Sequence, residues 1–285
     1  MIFSPKSFRV DHGQYGECIV LTGKWDDGVA EYARKNSIRE LIVNSEVGGT
    51  IKDLSFLSRF PDLIGFTILD FNIGDILPIH QLHKLKFLEI STYCSTPIDF
   101  SQFPELESCT FYWRSKSQSL FQCKTIKKLF IHGYPFPDAV KLAELENLED
   151  LSIVSSSIVN IESLGLLKRL EHLGLYVLGK LSSLSGLERC VHLKELAIGA
   201  CRQISSIWEV GNLIHLESLQ LDNCGDIDSI KPLKKLARLK KLSFVESTNI
   251  LDGDLSPILK LGLQYGHNLS FQNRRHYSHK REDFA

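Results

Sequence analysis

The sequence lacks long apolar runs, an excess of charge of either sign, paired cysteines and the short motifs of common catalytic sites. Each absence removes a class of function. No uninterrupted stretch approaches the roughly 18 apolar residues of a membrane-spanning helix. The first residues, MIFSPKSFRVDHGQYGE, have neither the basic start, the apolar core nor the small-residue cleavage site of a secretory signal. The expectation is a cytoplasmic protein that does not engage a membrane. Lys and Arg number 33 against 34 Asp and Glu, for a formal charge of -1, so no global field draws the chain to nucleic acid or anionic lipid. The seven cysteines are scattered, odd in number and free of any C-x-x-C pair, which argues against a disulfide framework or a zinc knuckle. Glycine-rich phosphate loops, G-x-S-x-G elbows and H-E-x-x-H helices do not occur. The chain therefore reads as a non-catalytic monomer with no cofactor and no metal.

What is present is a repeat. Ten segments share apolar residues at positions 1, 4 and 6: Ile38-Leu41-Val43, Leu63-Phe66-Ile68, Leu85-Leu88-Ile90, Leu106-Cys109-Phe111, Ile126-Leu129-Ile131, Leu148-Leu151-Ile153, Leu170-Leu173-Leu175, Leu193-Leu196-Ile198, Leu216-Leu219-Leu221 and Leu239-Leu242-Phe244. Successive first positions lie 20 to 25 residues apart, and a period of that size is the signature of a stacked repeat. Alternation around positions 4 and 6 has the period of a strand with one buried face. The second half of each unit carries apolar residues three apart, as in Ile204, Ile207, Val210, Leu213 and Ile227, Ile230, Leu233, Leu236. That spacing predicts short helical turns closing each unit onto the strand before it.

Segments such as LKELAIGACRQISSIWEVGNLIH and LESLQLDNCGDIDSIKPLKKLAR resemble leucine-rich repeats of about 22 residues, similar to the bacterial internalin type, over roughly residues 16 to 273. The resemblance implies an α/β solenoid of about ten repeats with terminal caps. A curved parallel sheet would form its concave side, and short helical or 3-10 turns its convex side. It also implies that position 9 is an inward Asn or Cys that satisfies loop backbone groups. Cys201 and Cys224 fall there, as do Ser156 and Ser247, whereas Phe71, Tyr93, Arg114, Tyr134 and Leu178 depart from the pattern.

The expected organisation is one structural domain with a cap over 1-37, ten repeats over 38-262, and a cap strand with a basic tail over 263-285. In the first cap, Ile19 and Leu21 are a starting strand and Asp26 the N-cap of a helix whose Val29, Tyr32 and Ala33 share a face. At the far end, Leu269 and Phe271 form a last strand before NRRHYSHKREDFA. His267, His276 and His279 there lack the acidic or cysteine partners of a metal site. An alternative reading gives this basic segment, with Arg274, Arg275, Lys280 and Arg281, a nucleic-acid or catalytic role.

If positions 4 and 6 point inward, positions 3, 5, 7 and 8 face outward or lie at the edge of the sheet. This places Phe87, Tyr112, Trp113, Phe130, His132 and Tyr176 on the open face, followed by Glu149, Asp150, Glu171 and Asp222 on the acidic distal repeats. Aromatic side chains gathered on a surface are enriched at binding hot spots. A register slip of one in the fourth repeat would exchange Phe111 with Tyr112. The expected function is recognition of another protein, such as a toxin or effector blocked by an antidote, or a client of an adaptor, in a bacterium.

Overall fold

A computed structural model describes residues 7–285; the start of the expected first cap, residues 1–6, lies outside the described residues. Among them no helix is long and apolar enough to cross a membrane. The chain forms two compact units, residues 1–127 and 128–285.

In the first unit, β1 (Phe8–His12) and β2 (Glu17–Leu21) make an antiparallel hairpin. Parallel strands β3 (Glu40–Asn44), β4 (Gly65–Leu69), β5 (Phe87–Ser91) and β6 (Ser108–Tyr112) follow in order from β2. Register puts Ile19, Leu41, Phe66, Leu88 and Cys109 in one row, and Leu21, Val43, Ile68, Ile90 and Phe111 in the next. All ten are buried. The fourth repeat thus keeps its register, with Phe111 inside and Tyr112 outside. Helix α1 (Asp27–Lys35) closes the first repeat, its Asp26 cap accepting from the Gly28 N–H at 2.8 Å. Later repeats close with 3-10 turns at Ser55–Arg59, Leu77–Gln81, Phe100–Gln102 and Ser117–Gln122. Three residues per turn is the 3-10 period, which is why apolar spacings of three suit it. Rings fill this unit: Trp25 stacks on Phe56 at 4.1 Å and Phe100 meets Phe111 at 5.1 Å.

Strand β1 has no counterpart in the sequence reading. Its hairpin tip is fastened by Glu40, which is 6% exposed and accepts from the backbone N–H groups of Gln14, at 2.8 Å, and Tyr15. A buried carboxylate needs such donors.

The second unit is more regular. Strands β7 (Lys128–His132), β8 (Asp150–Val154), β9 (His172–Tyr176), β10 (Glu195–Gly199), β11 (Ser218–Asp222), β13 (Lys241–Val245) and β15 (Leu269–Phe271) are parallel. A two-residue pair, β12 (Asp226–Ile227) with β14 (Asn249–Ile250), runs beside them. The apolar ladder from Ile204 to Leu213 and that from Ile227 to Leu236 are fully buried. Both sets of repeats have the leucine-rich-repeat architecture.

Position 8 of six consecutive repeats here is left-handed: Gly133, Ser155, Val177, Ala200, Asn223 and Glu246 have φ of 73°, 50°, 57°, 54°, 56° and 56°. The reversal turns the chain so that position 9 drops inside. Cys201 donates toward the Leu175 and Gly199 carbonyls at 3.4 Å, and Cys224 toward that of Ile198 at 3.2 Å. Ser156 donates to the Tyr134 carbonyl at 2.6 Å. Arg114, Tyr134 and Leu178 are also buried despite departing from the pattern. Ser247 is a correction: a turn from the Val245 carbonyl to the Thr248 N–H leaves it exposed, and Thr248, 2% exposed, bonds the Leu221 carbonyl at 2.6 Å in its place. In the second and third repeats the inward residue comes one place earlier, at Asp70 and Thr92, while Tyr93 is 80% exposed.

The last segment is tied to the body. Tyr277 and Phe284 are buried, the Ile250 N–H donates to the Tyr277 hydroxyl at 2.9 Å, and Phe271 lies 5.1 Å from Phe244. Its basic groups cap carbonyls: Arg274 those of Glu246 and Thr248, Lys280 those of Arg274 and Tyr277, and Arg281 that of Phe271.

Val177 is β-branched and half-exposed at a left-handed position, a conformation that costs such residues on the order of 1–3 kcal/mol and that Asn tolerates. Val177→Asn is expected to raise the free energy of unfolding by about 1 kcal/mol in urea titration. No gain would mean that Val177 bears no strain.

Candidate protein-binding face

The strands alternate between buried and accessible residues, so the open face consists of positions 3, 5 and 7. In the first unit Phe87, the first residue of β5, is half-buried, and Tyr112, the last of β6, is 38% exposed. Trp113 turns back toward the loop, its ring 5.8 Å from Phe121 in the following 3-10 turn and 6.2 Å from Phe111.

In the second unit Phe130 stands at the middle of β7, 40% exposed, with His132 at its end. Register sets Phe130, Ser152 and Gly174 in one row and His132, Val154, Tyr176, Gly199 and Asp222 in another. The Tyr176 ring lies down across this surface, because two neighbours have no side chain. A Cβ on Gly174 would sit 2.5 Å from Tyr176 Cε2, and one on Gly199 2.9 Å from its Cδ1. Burial raises the Tyr176 phenol above its ordinary pKa, and the Asp150 and Asp222 carboxylates push it the same way.

The acidic residues divide by position. Glu171 pairs with Lys194 at 2.7 Å and Glu217 with Lys240 at 2.7 Å, each one repeat apart at the entry to its strand. The Lys194 hydrogen bond, then its charge, holds the Glu171 carboxyl below the usual range. Such surface pairs contribute about 0–1 kcal/mol but cancel local charge. Glu149 is half-buried before β8. Asp150 and Asp222 carry no ion pair among the described residues; Asp222 accepts from Ser243 at 3.0 Å. Glu195 lies 4.0 Å from His172. The negative charge without a cationic partner thus flanks Tyr176. Sequence reading placed Tyr176 and both aspartates on this face but not Ser152, His172, Gly174 or Gly199. Two glycines at positions 5 and 7, on either side of a position-7 Tyr, were the available signal.

No family model and no curated protein sequence matches the chain. Solved structures do. The internalin InlF of Listeria monocytogenes aligns with a TM-score of 0.64 and 19% identity over 87% of this chain and 72% of that one. The Arabidopsis receptor kinase HAESA ectodomain, in complex with an IDA peptide hormone, aligns at 0.55 and 18% over 77% of this chain and 40% of that one. TLR13 in complex with ssRNA13 aligns at 0.53 and 20%, over 78% and 34%. At these identities the likeness is one of fold. Together with the repeat register, it gives the chain a leucine-rich-repeat fold, similar in architecture to internalins and receptor ectodomains. It spans well under half the length of the latter two chains.

Gly174→Ala is expected to lift the Tyr176 ring off the sheet and lower its pKa toward the ordinary tyrosine value, measured by NMR titration of labelled tyrosine. An unchanged titration would show that the ring does not rest on that glycine.

Proposed function

We propose that the chain is a stoichiometric, non-catalytic protein-binding module that engages its partner through the open faces of its repeats. Tyr112 in the first unit and Phe130 in the second carry the reading: each stands on the open face of its own unit, at 38% and 40% exposure, while the adjoining positions 4 and 6 are buried. Aromatic side chains partly exposed on a surface are anchors for a partner, and covering the remaining two fifths of one contributes on the order of 1 kcal/mol. Phe87, Trp113, His132 and Tyr176 supplement them. Asp150 and Asp222, with Glu149 next to the first in sequence, favour a partner with a basic region beside an apolar knob, while the Glu171 charge is met by Lys194. Charge of this kind acts more on orientation and association rate than on affinity. The biological role that fits is that of an antidote blocking a bacterial toxin or effector, or of a cytoplasmic adaptor.

The C-terminal basic segment gives little support to the nucleic-acid alternative. Arg274, Lys280 and Arg281 are occupied with backbone carbonyls, leaving Arg275 exposed. Removing the segment would uncover the core that Tyr277 and Phe284 close.

The test is affinity capture by immobilised wild type and by Tyr112→Ala with Phe130→Ala, both shown to be equally stable. The variant is expected to lose at least tenfold of the captured partner, identified by mass spectrometry. Equal capture would rule out these two side chains as anchors.

A further inference from the structure

Among the seven cysteines, Cys94 occupies a chemical setting unlike the rest. Burial pushes the thiols of Cys18, Cys109 and Cys201 up, and those of Cys123, Cys190 and Cys224 to about 11. Such thiols are inert at neutral pH, because the thiolate is the nucleophile. Burial would raise Cys94 too, but hydrogen bonds from Thr92 and Arg114 and the charge of the guanidinium bring its thiol below the ordinary value.

The geometry accounts for this. Cys94 follows β5, and Arg114 follows β6 on the neighbouring strand. Both line a recess of about 350 Å³ formed by residues 92–95 and 112–115, whose rim includes the exposed rings of Tyr93 and Tyr112. Arg114 is 5% exposed; its Nη2 donates to Thr92 Oγ1 at 2.7 Å and approaches Cys94 Sγ at 3.9 Å, and its Nη1 donates to the Tyr112 carbonyl at 2.9 Å. A guanidinium can only donate, so Thr92 Oγ1 accepts from it. The Thr92 hydroxyl lies 3.1 Å from Cys94 Sγ, and once the sulfur is a thiolate, which can only accept, the hydroxyl is the donor of that contact. Arg114 Nε is buried with no hydrogen-bond partner among the described residues. It belongs to the same guanidinium that meets the sulfur, a donor that the other described residues leave unmatched although buried polar groups are almost always paired.

We propose that Cys94 is a redox-modification site whose sulfur is oxidised to a sulfenic acid by a small hydroperoxide entering the recess, with Thr92 and Arg114 as positioning residues. The Cys94 thiol gives its proton to solvent; the thiolate lone pair attacks one peroxide oxygen, the S–O bond forms as the O–O bond breaks, and the other oxygen leaves as hydroxide, which takes up the released proton to become water. Sulfur loses two electrons and the peroxide gains them. Arg114 places positive charge beside the oxygen that leaves and the one that stays, and the recess admits hydrogen peroxide while five other thiols are buried and the half-buried Cys123 thiol is held protonated, its pKa pushed up to about 11.

The experiment treats the folded wild-type protein with limiting hydrogen peroxide at neutral pH, traps sulfenic acid with dimedone and maps the label by mass spectrometry. Cys94 is expected to carry the label and to react at least tenfold faster than free cysteine. Thr92→Val, matched in shape, is expected to slow it severalfold, and Thr92→Ser to restore it. Reaction no faster than free cysteine, or label spread over the other cysteines, would overturn the assignment. That readout is taken on the wild type and stands even if the Val variant fails to fold.

Discussion

A five-residue strand buries too little to persist alone, so everything in this protein depends on each strand setting its two inward side chains against the same two of the next repeat. Leu196 and Ile198 sit beside Leu219 and Leu221, which sit beside Leu242 and Phe244. The backbone hydrogen bonds between strands and the buried rows impose the same register, because a slip of one residue would turn every apolar side chain to solvent. With the inner rows fixed, the outer rows are free to vary, and the residues of the candidate binding face stand there.

The two units solve the end of the strand differently. In the second, the left-handed residue at position 8 sends position 9 inward, and its own N–H still reaches the next strand, as when the Val177 N–H bonds the Gly199 carbonyl at 2.8 Å. Cysteine serves position 9 because a thiol is small and a weak donor, enough for the carbonyls that the turn strands inside. In the second and third repeats the inward residue arrives one place early, and in the fourth a buried arginine at position 9 bridges back from Arg114 to Thr92. A guanidinium brought inside to satisfy backbone also places a cation beside whatever else lies there, and that is Cys94.

The periodic part of the structure was legible in the sequence. Positions 4 and 6, the apolar spacing of three, the Asp26 cap, the inward Cys201 and Cys224 and the final strand at Leu269 all follow from pattern. What was not legible depends on contacts that pattern does not encode. Strand β1 is polar and exposed, held by pairing with β2 and by Glu40 rather than by an apolar face. Ser247 and Thr248 differ only in which side of a single turn they occupy. Trp113 sits at an edge position where the neighbouring Phe121, more than the pleat, sets its direction. The basic residues at the C-terminus read as a solvated tail because composition shows charge and not the carbonyls that receive it.

Register in the second unit carries Glu195 onto Ser218 and Ser218 onto Lys241 with the same 23-residue step that carries His172 onto Glu195. Neighbouring repeats there present nearly the same inner rows to one another, and the two that carry Cys201 and Cys224 share the same turn as well. They are therefore interchangeable as building blocks: a duplication or loss of one such step in the gene leaves two surfaces that still fit. A lineage carrying this protein can lengthen or shorten its outward face by whole repeats while the interior never has to be reinvented.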